Sequence, residues 1–256
     1  MWKVNIPLAL GAALVGCSST VTPNSHNTSN DSAPPFSREE GARIAVVSAQ
    51  AVVQAVAAIV PIKDLQAIYE NGRPRPRCPV MSAQFQSSAA TVTLDYGTDC
   101  QPDAFAAARF GGEARGTTQI SYNGLKYELD QFLADGSALS GSITGGFMIQ
   151  GAQTKFTTSV DLRLADGATV RGRATIIYED NNQRLTILES RLAIGRAGKS
   201  SQSVTISNAI VDGSTTSSLI PHSGTVQFDT DGGAGVASLR MEFTPSTPLD
   251  GTMISR

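Results

Sequence analysis

The stretch 155–178, KFTTSVDLRLADGATVRGRATIIY, decides the fold. Apolar residues recur at alternate positions in both halves of the stretch, and Asp166-Gly167 separates the two halves. Successive side chains of a strand point to opposite faces, so each half has one apolar face and one polar face. The pattern predicts two antiparallel strands joined by a tight turn, with the apolar face in the core.

The same period of two recurs from Pro79 onward, in 125–129, 204–210 and 239–243 among other segments. In 204–210 it assigns Val204, Ile206 and Ile210 to the apolar face. Polar turn residues separate these segments, mostly as a dipeptide that ends in glycine. These turns are Asn123-Gly124, Asp135-Gly136, Asp166-Gly167, Asn181-Asn182, Asp212-Gly213 and Asp231-Gly232. The spacing predicts about eleven or twelve strands.

A different pattern precedes the strands. Ala, Val and Ile dominate the residues from Glu40 to Val60, and Ser37 is a suitable N-cap for a helix that has acidic residues in its first turn. The apolar positions cover most of the helix surface, which indicates a helix that is covered on most sides. Pro61 is expected to end it, and 62–69 to form a second, shorter helix. A membrane-spanning helix is disfavoured by its length and by Ser48, Gln50 and Gln54.

Together these elements predict a mainly β fold: a long, curved antiparallel meander, resembling a half-barrel, with one N-terminal apolar helix packed on its concave face. A closed barrel or a sandwich remains an alternative. A weak internal repeat begins at Arg115-Gly116, Arg171-Gly172 and Ser223-Gly224, and indicates a repeated unit of about four strands. Chance similarity among hairpins is its rival explanation.

The N-terminus carries a targeting signal. Lys3 precedes an apolar run that is too short to span a bilayer, and Leu14-Val15-Gly16-Cys17 closes it. This tetrapeptide resembles the lipobox of bacterial lipoproteins. The resemblance implies cleavage before Cys17, acylation of Cys17 with fatty acids such as palmitate, and membrane attachment through these chains. Ser18 follows the cysteine and resembles the sorting residue of outer-membrane lipoproteins.

Four regions follow from these patterns: a signal peptide at 1–16, a lipidated flexible tether at 17–37, a helical segment at 38–70 and an antiparallel β domain at 71–256. The tether is rich in Ser, Thr, Asn and Pro and has little apolar surface to bury. The full chain has a net charge of −2, and removal of Lys3 with the signal changes it to −3. A basic field for nucleic acid is therefore not expected.

The chain has three cysteines, and two of them remain if Cys17 is lipidated. Cys78 and Cys100 both lie beside strand-like segments of an exported chain, which predicts a disulfide between them. A metal site would need further ligands, and no nearby histidine or CxxC motif supplies them.

The pattern of Cys78-Pro79-Val80, then 91–97 (TVTLDYG), then Cys100, then 116–122 (GTTQISY), is similar to uncharacterised β-rich bacterial lipoproteins. The resemblance covers roughly 78–125 and implies no activity. It agrees with the disulfide and the meander.

Catalytic patterns are weak. Gly195-Arg-Ala-Gly-Lys-Ser200 is only partly similar to a phosphate loop, and a strand follows it instead of a helix. His222 has no serine elbow in the sequence, and Asp229 with Asp231 lacks the downstream acid of a calcium loop. The carboxylates Glu113, Glu128, Asp130, Glu179 and Asp180 cannot be assigned to catalytic pairs.

The sequence therefore predicts a lipid-anchored protein of the cell envelope, of non-enzymatic structural or interaction type, without cofactor or metal. Its expected partners are the membrane and an envelope protein. The alternative is a periplasmic carrier, because a half-barrel with a helix in its mouth is similar to the architecture of lipid and lipoprotein carriers. A hydrolase is the least favoured class. An apolar cavity would favour a carrier, and titratable groups in a cleft would favour a hydrolase.

Overall fold

The computed structural model of the chain describes residues 38–74, 76–119, 123–134, 136–199, 201–215, 219–229 and 239–243. The helical segment comes first, with α1 (Arg38–Ala57), a 3₁₀ segment (Val60–Asp64) and α2 (Leu65–Tyr69). Eleven strands follow: β1 (Val80–Gln86), β2 (Ala89–Cys100), β3 (Phe110–Gln119), β4 (Gly124–Ala134), β5 (Ser137–Gln150), β6 (Gln153–Leu164), β7 (Thr169–Glu179), β8 (Arg184–Gly195), β9 (Gln202–Asp212), β10 (Ser223–Asp229) and β11 (Leu239–Glu242).

The strands form one sheet in sequence order, and each pairs antiparallel with the next. Within the described residues β1 and β11 each pair with one neighbour only, so the sheet is an open meander. The predicted fold class, a long antiparallel meander with an apolar helix packed on it, is confirmed. Every predicted turn that falls among the described residues lies between two strands.

The helix begins where the sequence predicts but ends earlier. α1 ends at Ala57, four residues before Pro61. Pro61 therefore does not terminate α1 but lies in the first turn of the 3₁₀ segment. A proline is tolerated there, since the backbone N–H of a first-turn residue has no helical acceptor. The second helix consequently starts at Leu65 and not at Ile62. Ser37 lies outside the described residues.

From Ser48 to its end α1 is buried on all of its faces, whereas Arg43 nearer its start is exposed. Residues 48–62 are all buried, and the helix contacts each strand from β5 to β10. The segment Arg43–Tyr69 is long and apolar enough to cross a membrane, so the expected objection from its length was wrong, but it packs inside the fold. The concave face of the sheet and the helix therefore form one apolar core.

Bulges change which residues of several strands face the core. In β9 Val204 and Ile206 are buried as predicted, but Ile210 is half-exposed, and Ala209 and Val211 are buried instead. Asn208, with a φ of 52°, adds one residue opposite β10 and reverses the alternation after it. The assignment of Ile210 to the apolar face was therefore wrong. Similar register shifts in β2, β3, β4 and β8 curve the sheet.

The predicted repeat holds only in part. Gly116 lies in β3 and Gly172 in β7, four strands later in the same direction, but Gly224 lies in β10, only three strands after β7. At each of the three glycines an added Cβ would collide with the backbone of the neighbouring strand. The recurring glycine thus marks close strand approach in a curved sheet, and the third copy is not a structural repeat.

Candidate functional site

The concave face of the sheet holds the helix. The few polar groups of α1 are satisfied there, since Ser48 Oγ donates to Ile44 O at 2.6 Å and Gln54 Nε2 donates to Ala134 O at 3.4 Å. Tyr96 Oη donates to Ala58 O at 2.8 Å, and burial raises the pKa of this phenol, which keeps it a donor. The interior of the half-barrel is thus occupied by this chain's own helix.

A row of small inward side chains makes room for α1. Thr158, Ala174 and Ser190 lie opposite one another on β6, β7 and β8, and all three are buried. Thr158 Oγ1 donates to Ala174 O at 3.4 Å, whereas Ser190 Oγ has no hydrogen-bond partner among the described residues. The helix contacts the same three strands, and small side chains permit close packing of a helix on a sheet.

An open cleft of about 580 Å³ lies where the helical segment meets the ends of β2 and β7. Lys63 lies at this cleft with a side chain only 10% exposed, and its Nζ binds Asp64 at 3.0 Å and Asp180 at 2.8 Å. Arg73 Nη1 lies 2.6 Å from the other oxygen of Asp64. Five prolines also line the cleft: Pro61, Pro74, Pro76, Pro79 and Pro102.

The cleft is held together covalently. Cys78 and Cys100 form the predicted disulfide, with Cα atoms 5.8 Å apart, and this bond joins the segment before β1 to the end of β2.

Tyr178 Oη donates to Ala104 O at 3.2 Å, and burial, helped by the charges of Asp180 and Asp64, raises the pKa of Tyr178. The phenol is therefore a hydrogen-bond donor here and not a base.

Lys63, Arg73, Asp64 and Asp180 form a compensated network at this cleft. Both carboxylates next to Lys63 accept ion pairs, and no group of three or more metal-ligating side chains occurs in the described part of the chain. Such a network ties the 3₁₀ segment to the end of β7. The arrangement thus serves to hold helix and sheet together.

Three of the predicted carboxylates, Glu113, Glu128 and Asp130, line one open groove of about 630 Å³ together with Arg115, whereas the other candidates lie elsewhere. Glu113 and Asp130 lie opposite each other on β3 and β4, and Glu113 binds Arg115 at 2.8 Å. Arg196 and Lys199, from the segment similar to a phosphate loop, lie in the β8–β9 loop and bind Glu40 at 3.2 and 3.6 Å. That loop connects two strands, in agreement with the strand predicted after this segment, so the segment is not a phosphate loop.

Of the remaining candidates, the structure describes His222 and the backbone of Asp229, the last residue of β10. Backbone N–H of His222 donates to Ile210 O at 2.9 Å, beside the start of β10. Asp231 lies outside the described residues, and so do Cys17, the signal peptide and the tether. Lipidation of Cys17 therefore stays a prediction.

The convex face of the sheet carries a feature that sequence reasoning missed. One residue from each strand lies in register along a single line, which we call the polar row, and each member is exposed or half-exposed. The polar row consists of Gln84, Thr91, Thr117, Lys126, Thr144, Ser159, Arg173, Arg191, Thr205, Gln227 and Arg240. It contains four cations, seven hydroxyl or amide side chains, and no acid. Alternation alone shows that these residues face outward, but only strand register shows that they are aligned.

Chemically, then, the molecule offers a filled interior, a compensated cleft and a polar convex face. Comparison with known protein families, curated proteins and solved structures finds no match to this chain.

Proposed function

We propose that the protein is a lipid-anchored, non-enzymatic interaction module of the bacterial cell envelope, attached through an acylated Cys17 to the outer membrane. The observation that carries this proposal is the occupancy of the concave face by α1. Because α1 is buried on all of its faces from Ser48 onward, the sheet presents its convex side to partners. That side is rich in Thr, Ser, Gln and mixed charge, which is typical of a solvated contact surface.

The alternative, a carrier of lipid or acyl chains in the half-barrel, requires the helix to leave the interior. Its departure would expose Val52, Val53 and Val56, which are all fully buried. Exposing about three such side chains costs on the order of 5 kcal/mol or more before the ligand contributes. The described clefts are lined largely by polar, charged and proline residues and do not provide an apolar cavity.

Mass spectrometry tests both hypotheses, the interaction module and the lipid carrier. The full-length protein is extracted in detergent from the membranes of an expressing bacterium. We expect a mature chain that begins at Cys17, carries acyl groups and holds no further stoichiometric lipid. A Cys17→Ala variant should remain unacylated and leave the membrane fraction. One additional lipid per chain would support the carrier, and an unmodified Cys17 in the wild type would refute the anchor.

The contact surface is tested with photo-cross-linking side chains incorporated in living cells. A probe at Ser159, in the middle of the convex face, should yield discrete cross-linked products. A probe at Asn181, an exposed residue of the β7–β8 turn, is the matched control and should yield none. Products at Asn181 alone would move the contact surface away from the convex face.

A further inference from the structure

Two arginines face each other at the centre of the polar row. Arg173 on β7 lies directly opposite Arg191 on β8, and both side chains are exposed. Like charges at directly opposed positions of neighbouring strands destabilise a sheet. The pair therefore opposes folding in the free protein, a conflict that is expected at functional sites.

The surrounding acids do not compensate both arginines. Arg191 Nη2 binds Glu189 at 3.1 Å, and Arg171 Nε binds Asp161 at 2.8 Å. Arg173 lies between these two ion pairs and forms none with the described residues. One guanidinium group is thus left to bind an anion.

The arginine pair borders a shallow groove of about 410 Å³. Thr157 and Thr175 line the groove with hydroxyl groups, and Glu189, which is already paired with Arg191, lines it as well. A register shift in the β7–β8 pairing, between Thr175 and Ile176, lies next to it. The groove offers guanidinium and hydroxyl donors side by side, which suits an oxyanion that is attached to a hydroxyl-rich ligand.

Cations are sparse along the rest of the polar row. Lys126 is on β4, the arginine pair is on β7 and β8, and Arg240 is on β11. With strands about 4.8 Å apart, the intervals between successive cations are roughly 14, 5 and 14 Å. Nucleic acid carries one charge per roughly 3.4 Å of each strand and would leave most of its phosphates without a partner. A polymer with few anions and many hydroxyl groups fits the intervening Thr, Ser and Gln side chains better.

We propose that the polar row binds a linear acidic polysaccharide, with Arg173 and Arg191 as the anchor for one of its anionic groups. The convex surface encloses no small ligand, so affinity must come from many weak contacts along an extended chain. No aromatic side chain belongs to the row, and binding therefore depends on charge and hydrogen bonds rather than on ring stacking. This proposal rests on the proposed role as an envelope interaction module and names its ligand class.

The full-length protein in detergent is tested against hyaluronate, which carries one carboxylate per disaccharide, against neutral pullulan and against single-stranded DNA by biolayer interferometry. We expect binding to hyaluronate that weakens as salt rises, and little binding to pullulan or DNA. Arg173→Gln should lower the affinity at least about tenfold, as expected when a charge-assisted hydrogen bond of about 1.4 kcal/mol or more is lost. Arg163→Gln and Lys155→Gln remove exposed cations outside the row and should change it less than about twofold.

A second readout separates binding from structure. Because Arg173→Gln relieves the like-charge pair, we expect its melting temperature to rise by roughly 1–3 °C while its affinity falls. Equal affinity for DNA, equal losses in the two control variants, or no binding by the wild type would each overturn the proposal. Membrane attachment through Cys17 is scored separately, so failure of polysaccharide binding leaves the anchor untouched.

Discussion

The two faces of β6 show how differently the inner and outer sides of this sheet are built. The inward residues are Thr154, Phe156, Thr158, Val160 and Leu162, and each is at most 4% exposed. The outward residues are Lys155, Thr157, Ser159, Asp161 and Arg163, and all are exposed. Inward positions are selected for volume, because they pack against a helix and against other strands. Outward positions are selected for polarity and leave volume free.

This difference implies that the inner face carries the stability of the molecule and the outer face carries its contacts. The inward row of Thr158, Ala174 and Ser190 is small and buried where the sheet meets α1, whereas Arg173 and Arg191 form an exposed like-charge pair on the outer face. Substitutions on neighbouring residues of one strand can separate the two roles.

The largest effect is expected for Phe132 and Leu133, which are adjacent on β4. Phe132 is fully buried and packs edge-on against Tyr96 and Phe110, whereas Leu133 is 37% exposed. Phe132→Ala should lower the free energy of unfolding by about 3–5 kcal/mol, because it leaves a cavity in the core. Leu133→Ala should change it by about 1 kcal/mol, because its side chain is only partly removed from water. Urea denaturation measures both, and equal losses would contradict the division between the faces.

Removal of the disulfide should have the next largest effect. Closing the 22-residue interval between Cys78 and Cys100 stabilises the fold by about 3 kcal/mol in the chain-entropy model. Cys78→Ser, Cys100→Ser and the double variant should therefore melt at similar, lower temperatures. Reducing agent should lower the melting temperature of the wild type to the same value and leave the double variant unchanged. Insensitivity of the wild type to reducing agent would argue against the bond in solution.

The sequence predicted the faces of the strands well because alternation is a local property. In β6 and β7 it identified the buried positions Phe156, Val160, Val170 and Ile176. It failed at Ile210, because the bulge at Asn208 reverses the phase and depends on a backbone conformation that composition does not reveal. The end of α1 was misjudged for a related reason, since Pro61 is compatible with a new 3₁₀ segment.

Neither candidate site was predictable at the level of individual residues. Lys63 and Asp180 come together only because the helical segment reaches the end of β7. Likewise, Arg173 and Arg191 are aligned by a register that one bulge between the two strands alters. Pairing between distant segments is a property of the whole meander, and a local pattern does not encode it.

The row of small inward residues that contains Ala174 provides a sharper test of the difference between the inner and outer faces of the sheet. Ala174 and Thr175 are neighbours on β7, and Ala174 faces α1 while Thr175 faces the outer groove. Ala174→Leu should lower the free energy of unfolding by about 1–3 kcal/mol, because the added volume has no space between helix and sheet. Thr175→Leu, with a similar side chain on the other face, should change it by less than about 0.5 kcal/mol. Tolerance of leucine at 174 would indicate a loosely packed helix.

The smallest effect is expected at a polar turn outside the core. Asp212 accepts hydrogen bonds from Ser214 Oγ at 2.6 Å and from Ser214 N at 3.1 Å. The side-chain bond is the largest cause of a lowered pKa for Asp212. A carboxylate with a lowered pKa stabilises the fold above its unfolded pKa of about 3.9, and this contribution is lost as the pH falls through the folded value.

Ser214→Ala should therefore raise the pKa of Asp212, as measured by the pH dependence of its carboxyl carbon in NMR spectra. The variant should be less stable than the wild type at pH 6 by at most about 1 kcal/mol, because solvent screens a half-exposed group. The difference should shrink near pH 2, where both proteins carry a protonated Asp212. A difference that stays constant between the two pH values would show that Ser214 acts on the turn backbone and not on the charge. In that case Ser214 would contribute to the free energy of unfolding through the structure of the turn, as the residues of the inner face do through packing.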